Sequence, residues 1–158
     1  MKVFFVVALS ILIFGCSEDK KNSIVDTISH INILLEKHGV VSWDNGYDQH
    51  SVYFTQENKN SCQFNLITKT TQAGNKDTLN ALFNAQTLHP DVTVKESQVP
   101  MLALNCKHEL KCFTLTGNNN YHSKTSYSSF YLSNNSLTSV LKIEEKIEKL
   151  IQLCGNIP

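Results

Sequence analysis

The six histidines are the side chains of this chain best suited to acid–base catalysis or metal binding, and they are scattered: His30, His38, His50, His89, His108 and His122. None stands at the HxH or HxxxH spacing of a metal site, and no GxSxG, HExxH, Walker A or GxGxxG sequence occurs. Asp48 and His50 could act as an acid–base pair near a turn, but the sequence offers no third member of a catalytic set. It therefore predicts no catalytic residue, no cofactor and no metal ligand.

The chain begins with a short positive end and an apolar segment. After Lys2, residues 3–14 are apolar apart from one serine. This is the length of a signal-peptide core and falls short of the roughly 20 residues that span a membrane as a helix. The segment ends in Ile13-Phe14-Gly15-Cys16, and a charged stretch follows. These four residues resemble the lipobox of bacterial lipoproteins, in which an aliphatic, a variable and a small residue precede the lipidated cysteine.

The lipobox resemblance implies a processing route and a location. The Cys16 thiol would receive a diacylglyceryl group, and cleavage before it would remove residues 1–15 as a signal peptide. Residues 16–22 would then be the lipidated cysteine and its tether, and residues 23–158 a single domain. The acyl chains would make the membrane a partner, because each buried CH₂ contributes about 0.8 kcal/mol. Ser17, where aspartate could stand, resembles the pattern sorted to the outer membrane, facing the periplasm, in a Gram-negative host.

The charge of the chain argues against nucleic acid as a partner. The 14 basic residues are all lysine and balance 14 acidic residues. Nucleic-acid-binding domains usually carry excess positive charge and use the arginine fork to contact phosphate and guanine. We therefore expect no nucleic-acid partner.

Four cysteines remain once the first of the five carries the lipid: Cys62, Cys106, Cys112 and Cys154. An even number of cysteines in an oxidising compartment indicates two disulfide bonds, for which three pairings exist. We favour Cys106–Cys112, which closes a short loop between two apolar stretches. Its complement, Cys62–Cys154, would tie the last helix to an early strand. A zinc site that combines these cysteines with His108 is the alternative, although their spacing differs from that of CxxC knuckles.

Apolar residues at three- and four-residue spacing predict a helix at each end of the domain, over residues 23–37 and 136–153. Gly39 and Gly155 are placed to end them. Between the helices, residues 40–43 and 47–55 flank an Asp-Asn-Gly turn that favours a hairpin. Further strands are predicted over residues 61–70, 92–96 and 127–132.

Three stretches of the middle segment decide how these strands connect. Residues 71–78 are polar and predict a loop, whereas residues 79–88 fit either a helix or a strand. We expect residues 101–106 and 112–116 to pair with each other across the cysteine loop. The sum is an α+β fold, with a mostly antiparallel, curved sheet of six to eight strands, an N-terminal helix and a C-terminal capping helix.

Exposed aromatic residues are the best material for a binding surface, because Tyr and Trp combine apolar area with a polar tip. Trp43 and Tyr47 lie beside the first hairpin turn, and Tyr121 follows an asparagine-rich turn. We predict that these three residues contribute to a surface for a protein partner. The resulting hypothesis is a lipid-anchored, non-catalytic binding module of the inhibitor, immunity or accessory-subunit type. The alternative is an envelope hydrolase whose active site is dispersed along the sequence.

Overall fold

The structure is a computed structural model, and it describes residues 22–39, 41–42, 48–58, 61–72, 74–95, 99–133 and 137–155. Cys16, Trp43 and Tyr47 lie outside these residues. A helix, α1, spans residues 22–38, and a second helix, α2, spans Leu137–Gly155. The strands are β1 Val41–Ser42, β2 Asp48–Gln56, β3 Gln63–Gln72, β4 Asn75–Asn84, β5 Thr93–Lys95, β6 Met101–Asn105, β7 Phe113–Gly117, β8 His122–Thr125 and β9 Tyr127–Tyr131.

The strands form two antiparallel sheets. The larger sheet has the order β1-β2-β3-β4-β7-β8, and the smaller has the order β5-β6-β9. With a helix at each end, this confirms the α+β prediction; eight strands have three or more residues, and β1 has two. The division into two sheets was not predicted.

β9 crosses one face of the larger sheet, which we call the inner face. β9 begins beside β8, whose last residue is Thr125. The Thr125 hydroxyl donates to the Tyr127 carbonyl at 2.8 Å and accepts from the Tyr127 N–H at 3.1 Å. Near its end, the Phe130 ring lies 6.3 Å from the Phe54 ring of β2. The smaller sheet therefore lies across the strands of the larger one, and the core fills the space between them. The fully buried phenylalanines of this core are Phe54, Phe64, Phe113 and Phe130.

The two helices complete the core with the apolar faces that their periodicity predicts. α1 buries Ile24, Ile28, Ile31 and Leu35. α2 buries Val140, Ile143, Ile147, Leu150 and Ile151. Burial of such side chains stabilises the fold by about 1.5–3 kcal/mol each.

Two predictions about strand connectivity were wrong. Residues 71–78 are not a loop: Gln72 pairs with Asn75 in a tight hairpin, where Gly74 takes the positive φ of 82° that glycine adopts without strain. Nor do β6 and β7 pair with each other across the cysteine loop. β6 pairs with β5 and β9, whereas β7 pairs with β4 and β8, because the loop carries the chain from one sheet to the other.

Both disulfides join elements that backbone hydrogen bonds do not connect. The structure pairs Cys106 with Cys112, at the ends of β6 and β7, and Cys62 with Cys154, at the start of β3 and the end of α2. This is the pairing that the sequence favours. One disulfide therefore links the two sheets, and the other links the last helix to the larger sheet.

α1 protects the exposed edge of β2 beyond its short pairing with β1. The Asn32 side chain donates from Nδ2 to the Phe54 carbonyl and accepts at Oδ1 from the Phe54 N–H, both at 2.8 Å. One amide thus pairs two backbone groups that would otherwise be open to another strand.

Replacing Asn32 with alanine should lower the free energy of unfolding by about 2 kcal/mol, because both backbone groups of Phe54 lose their partners. Urea unfolding of purified protein measures the loss. Ser29→Ala on the exposed face of the same helix is the control and should change it by less than about 0.5 kcal/mol. Equal effects of the two substitutions would show that the amide does not stabilise the edge.

Candidate functional site

One end of the inner face extends past β9, and its apolar residues are partly exposed there. Along β4 the inner-face residues are Leu79, Ala81 and Phe83; the last two are buried, whereas Leu79 is half-buried. β7 repeats this pattern, with Phe113 buried and Leu115 half-buried. The apolar face of the core therefore continues into a solvent-accessible region.

An asparagine-rich turn places Tyr121 at this uncovered end. Asn119 and Asn120 adopt positive φ angles of 56° and 59°, a region that asparagine tolerates better than most residues. The Asn118 side chain donates to the Lys76 carbonyl at 3.0 Å and to the Asp77 carboxylate at 2.8 Å, which fixes the turn to β4. These contacts orient a tyrosine that remains 50% exposed.

Two adjoining hollows, which share Leu79 and Tyr121, form what we call the Tyr121 cleft. The first has a volume of about 290 Å³ and lies between the β4-β7-β8 surface and β9. Its lining includes Leu79, Leu115, Tyr121, Ser123, Tyr127 and Ser129. The second has a volume of about 310 Å³ and extends toward Thr70, Asp77 and the asparagine turn. Tyr127, at the rim, is 58% exposed.

The predicted binding residues are only partly placed by the structure. Tyr121 lines both hollows, whereas Trp43 and Tyr47 fall outside the described residues, so the structure does not test a common surface. Sequence reasoning missed Leu79 and Leu115 as cleft residues, because their alternation matches that of core strands. Only the path of β9 across the sheet leaves them partly exposed beside the core.

The histidines do not line this cleft. His89 accepts from the Asp91 N–H at 3.3 Å, and its Nδ1 lies 3.6 Å from the Asp91 carboxylate, with both side chains exposed on a loop. His108 lies in the cysteine loop, and the cysteines that a zinc site would share with it are joined in disulfides. Across the described ranges, no group of three or more His, Cys, Asp or Glu residues could hold a metal ion.

His50 faces the core from the inner face of β2. It is only 6% exposed, and its ring lies 5.8 Å from the Tyr131 ring in an edge-to-face arrangement. Burial lowers the pKa of His50 below its ordinary value of 6.5, because desolvation penalises the charged imidazolium.

We expect His50 to make the domain less stable as the pH falls below 6.5. The unfolded chain then binds the proton before the folded protein does, so stability contributed by neutral His50 is lost as the pH approaches the lowered folded pKa. His50→Gln should reduce the loss of unfolding free energy between about pH 7.5 and pH 5, measured by urea unfolding. The exposed His122→Gln serves as the control, and equal slopes for both variants would contradict the prediction.

Two further findings bear on function. No helix within the described part of the chain is long and apolar enough to cross a membrane. Comparison of the chain with protein-family models, with curated proteins and with solved structures finds no match in any of the three.

Proposed function

We propose that this protein is a lipid-anchored component of the bacterial cell envelope whose domain binds a protein partner without performing chemistry. The anchor would be the acylated Cys16, placing the domain in the periplasm at the outer membrane of a Gram-negative host. The lipobox resemblance supports this location. The two disulfides fit it, because such bonds persist mainly in oxidising compartments.

The observation that carries the binding proposal is the uncovered apolar surface of the Tyr121 cleft. Leu79 and Leu115 offer aliphatic area in a concave site, and Tyr121 and Tyr127 stand exposed beside it. Interface hot spots are enriched in tyrosine, and concave apolar surface rimmed by polar groups is typical of binding sites. The serine and threonine hydroxyls of the cleft would pair with polar groups of the partner.

The anchor is tested by replacing Cys16 with serine in cells that express the full chain. The native protein should incorporate an alkyne-labelled palmitate and remain in the membrane fraction, whereas Cys16→Ser should carry no label and retain residues 1–15. The Cys106→Ala/Cys112→Ala variant is a matched control that removes other cysteines and should keep the label. An unlabelled native protein whose mature form still begins at Met1 would refute the anchor.

Partner binding is tested by photo-crosslinking in living cells. A benzophenone amino acid at position 121 should capture one defined envelope protein, identified by mass spectrometry. The same probe in place of Leu141, which is also 50% exposed but lies on α2, should not capture it. With that protein purified, Tyr121→Ala should weaken binding about tenfold or more, as expected of a hot-spot tyrosine. Identical capture at both positions, or unchanged affinity, would refute the cleft as the binding site.

A further inference from the structure

We infer that the partner of the Tyr121 cleft binds as an extended polypeptide segment that adds to the free edge of β9, an inference that rests on the proposed protein-binding function. β9 is the last strand of the smaller sheet, and no described strand pairs with its outer edge. A free strand edge presents backbone N–H and C=O groups in a row, which an extended peptide matches.

The register of β9 shows which backbone groups face that edge. The Cys106 N–H donates to the Ser126 carbonyl, and the Leu132 N–H donates to the Pro100 carbonyl, both at 2.8 Å. Hydrogen-bonded and non-hydrogen-bonded pairs alternate along antiparallel strands, so Ser129 stands at a non-hydrogen-bonded position opposite β6. Its N–H and C=O therefore point away from β6, toward the free edge.

The free edge of β9 borders the Tyr121 cleft. A bound strand could therefore form backbone hydrogen bonds with β9 along one side and place its side chains in the cleft beneath. The Thr125 hydroxyl already binds both backbone groups of Tyr127, so an added strand would hydrogen-bond to β9 at Ser129. A strand laid beside Ser129 would direct alternate side chains onto Leu79 and Leu115. The ladder would contribute affinity, and these pockets would select apolar residues at every second position.

Charge adds a second element of specificity. Asp77 is the only charged side chain among the described residues that line the two hollows. A basic residue at the end of the bound segment nearest the asparagine turn would complement it. The edge of β8 is a weaker template, since that strand carries Lys124, and an exposed lysine on an edge strand discourages strand pairing.

The probe is an octapeptide selected from a displayed random library on the full-length, lipidated protein in detergent. Each amide of the selected peptide is N-methylated in turn, and affinity is measured by fluorescence polarisation. Strand addition predicts a loss of about fivefold or more at alternate amides, with the amides between them much less affected, because only every second N–H faces β9. This measurement leaves the protein unaltered.

A protein variant then locates the edge. Ser129→Pro removes one N–H that β6 does not use, and it should weaken peptide binding about tenfold while leaving the thermal midpoint nearly unchanged. Lys124→Pro, which makes the same change at the free edge of β8, is the matched control and should preserve the affinity. Should Ser129→Pro unfold the protein, the N-methylation pattern still decides.

The outcomes separate this inference from the function on which it rests. Binding that depends on Tyr121 but shows neither the alternate pattern nor an effect of Ser129→Pro would overturn strand addition and leave the protein-binding proposal standing. Loss of binding in Lys124→Pro alone would overturn it in favour of β8. A dimer of the chain that Ser129→Pro dissociates would make a second copy the occupant and overturn the inference. Failure to select any peptide that depends on Tyr121 would overturn strand addition, whereas crosslinking at position 121 decides the protein-binding proposal on its own.

Discussion

Replacing Cys62 and Cys154 together with alanine is expected to lower the free energy of unfolding by about 4–5 kcal/mol. The two residues lie 92 positions apart, so their bond restricts a large part of the unfolded chain. In the chain-entropy account, a loop of this length gives nearly the largest stabilisation that a disulfide provides. Both side chains are also buried, where their loss leaves space in the core. Urea unfolding under non-reducing conditions measures the change.

The Cys106–Cys112 bond supplies the matched comparison. Its partners are six positions apart, and the same account gives about 2 kcal/mol for the double alanine variant. The ratio of the two losses therefore tests whether loop length determines the effect. Equal losses would show that local packing at the two sites, and not the entropy of the unfolded chain, sets the contribution of each bond.

The disulfide pairing was open to prediction because it depends on few alternatives. Four cysteines allow three pairings, and only one of these joins the close neighbours Cys106 and Cys112. The two helices were predictable for a different reason. Their apolar residues recur with the helical period over four or five turns, a local signal that tertiary contacts need not correct.

The partners of each strand were harder to predict from the sequence, because strand pairing is non-local. β6 and β7 are adjacent in sequence and both apolar, yet they belong to different sheets, since the disulfide loop between them turns the chain across the core. The first residues of β4 were mistaken for a loop because that end of the strand is exposed and therefore polar. The polar composition of these residues reflects their exposure to solvent and does not indicate the absence of a strand.

The candidate site was hidden by the same limitation. Leu79 and Phe83 lie on one face of one strand, and their alternation is uniform. The sequence of β4 does not show where its apolar face stops being part of the core. That boundary is set by β9, which lies almost 50 residues later in the chain. Tyr121 was recognisable since it follows a turn that exposes it, whereas the aliphatic floor of the cleft was not.

β4 thus has a buried part and a partly exposed part on the same face. The second prediction with a large effect compares one side-chain truncation in each part. Phe83→Ala should lower the free energy of unfolding by about 3–5 kcal/mol, as is typical of a buried aromatic residue. Its ring lies 5.2 Å from Phe113, 5.9 Å from Phe64 and 6.3 Å from Phe54, so it joins four strands of the larger sheet. Leu79→Ala should cost only about 1 kcal/mol, because the side chain is already partly exposed in the folded protein.

Binding should show the opposite order. Leu79→Ala is expected to weaken the crosslinked partner or the selected peptide about tenfold, since it removes part of the cleft floor that a bound strand would cover. Phe83→Ala, assayed well below its unfolding midpoint, should bind nearly as the native protein does, because its ring contacts the core and not the cleft. Titration by fluorescence polarisation, paired with urea unfolding of each variant, measures both effects. A Leu79→Ala protein that is strongly destabilised but binds normally would show that this end of the sheet is core, and the cleft would lose its aliphatic floor as a recognition surface.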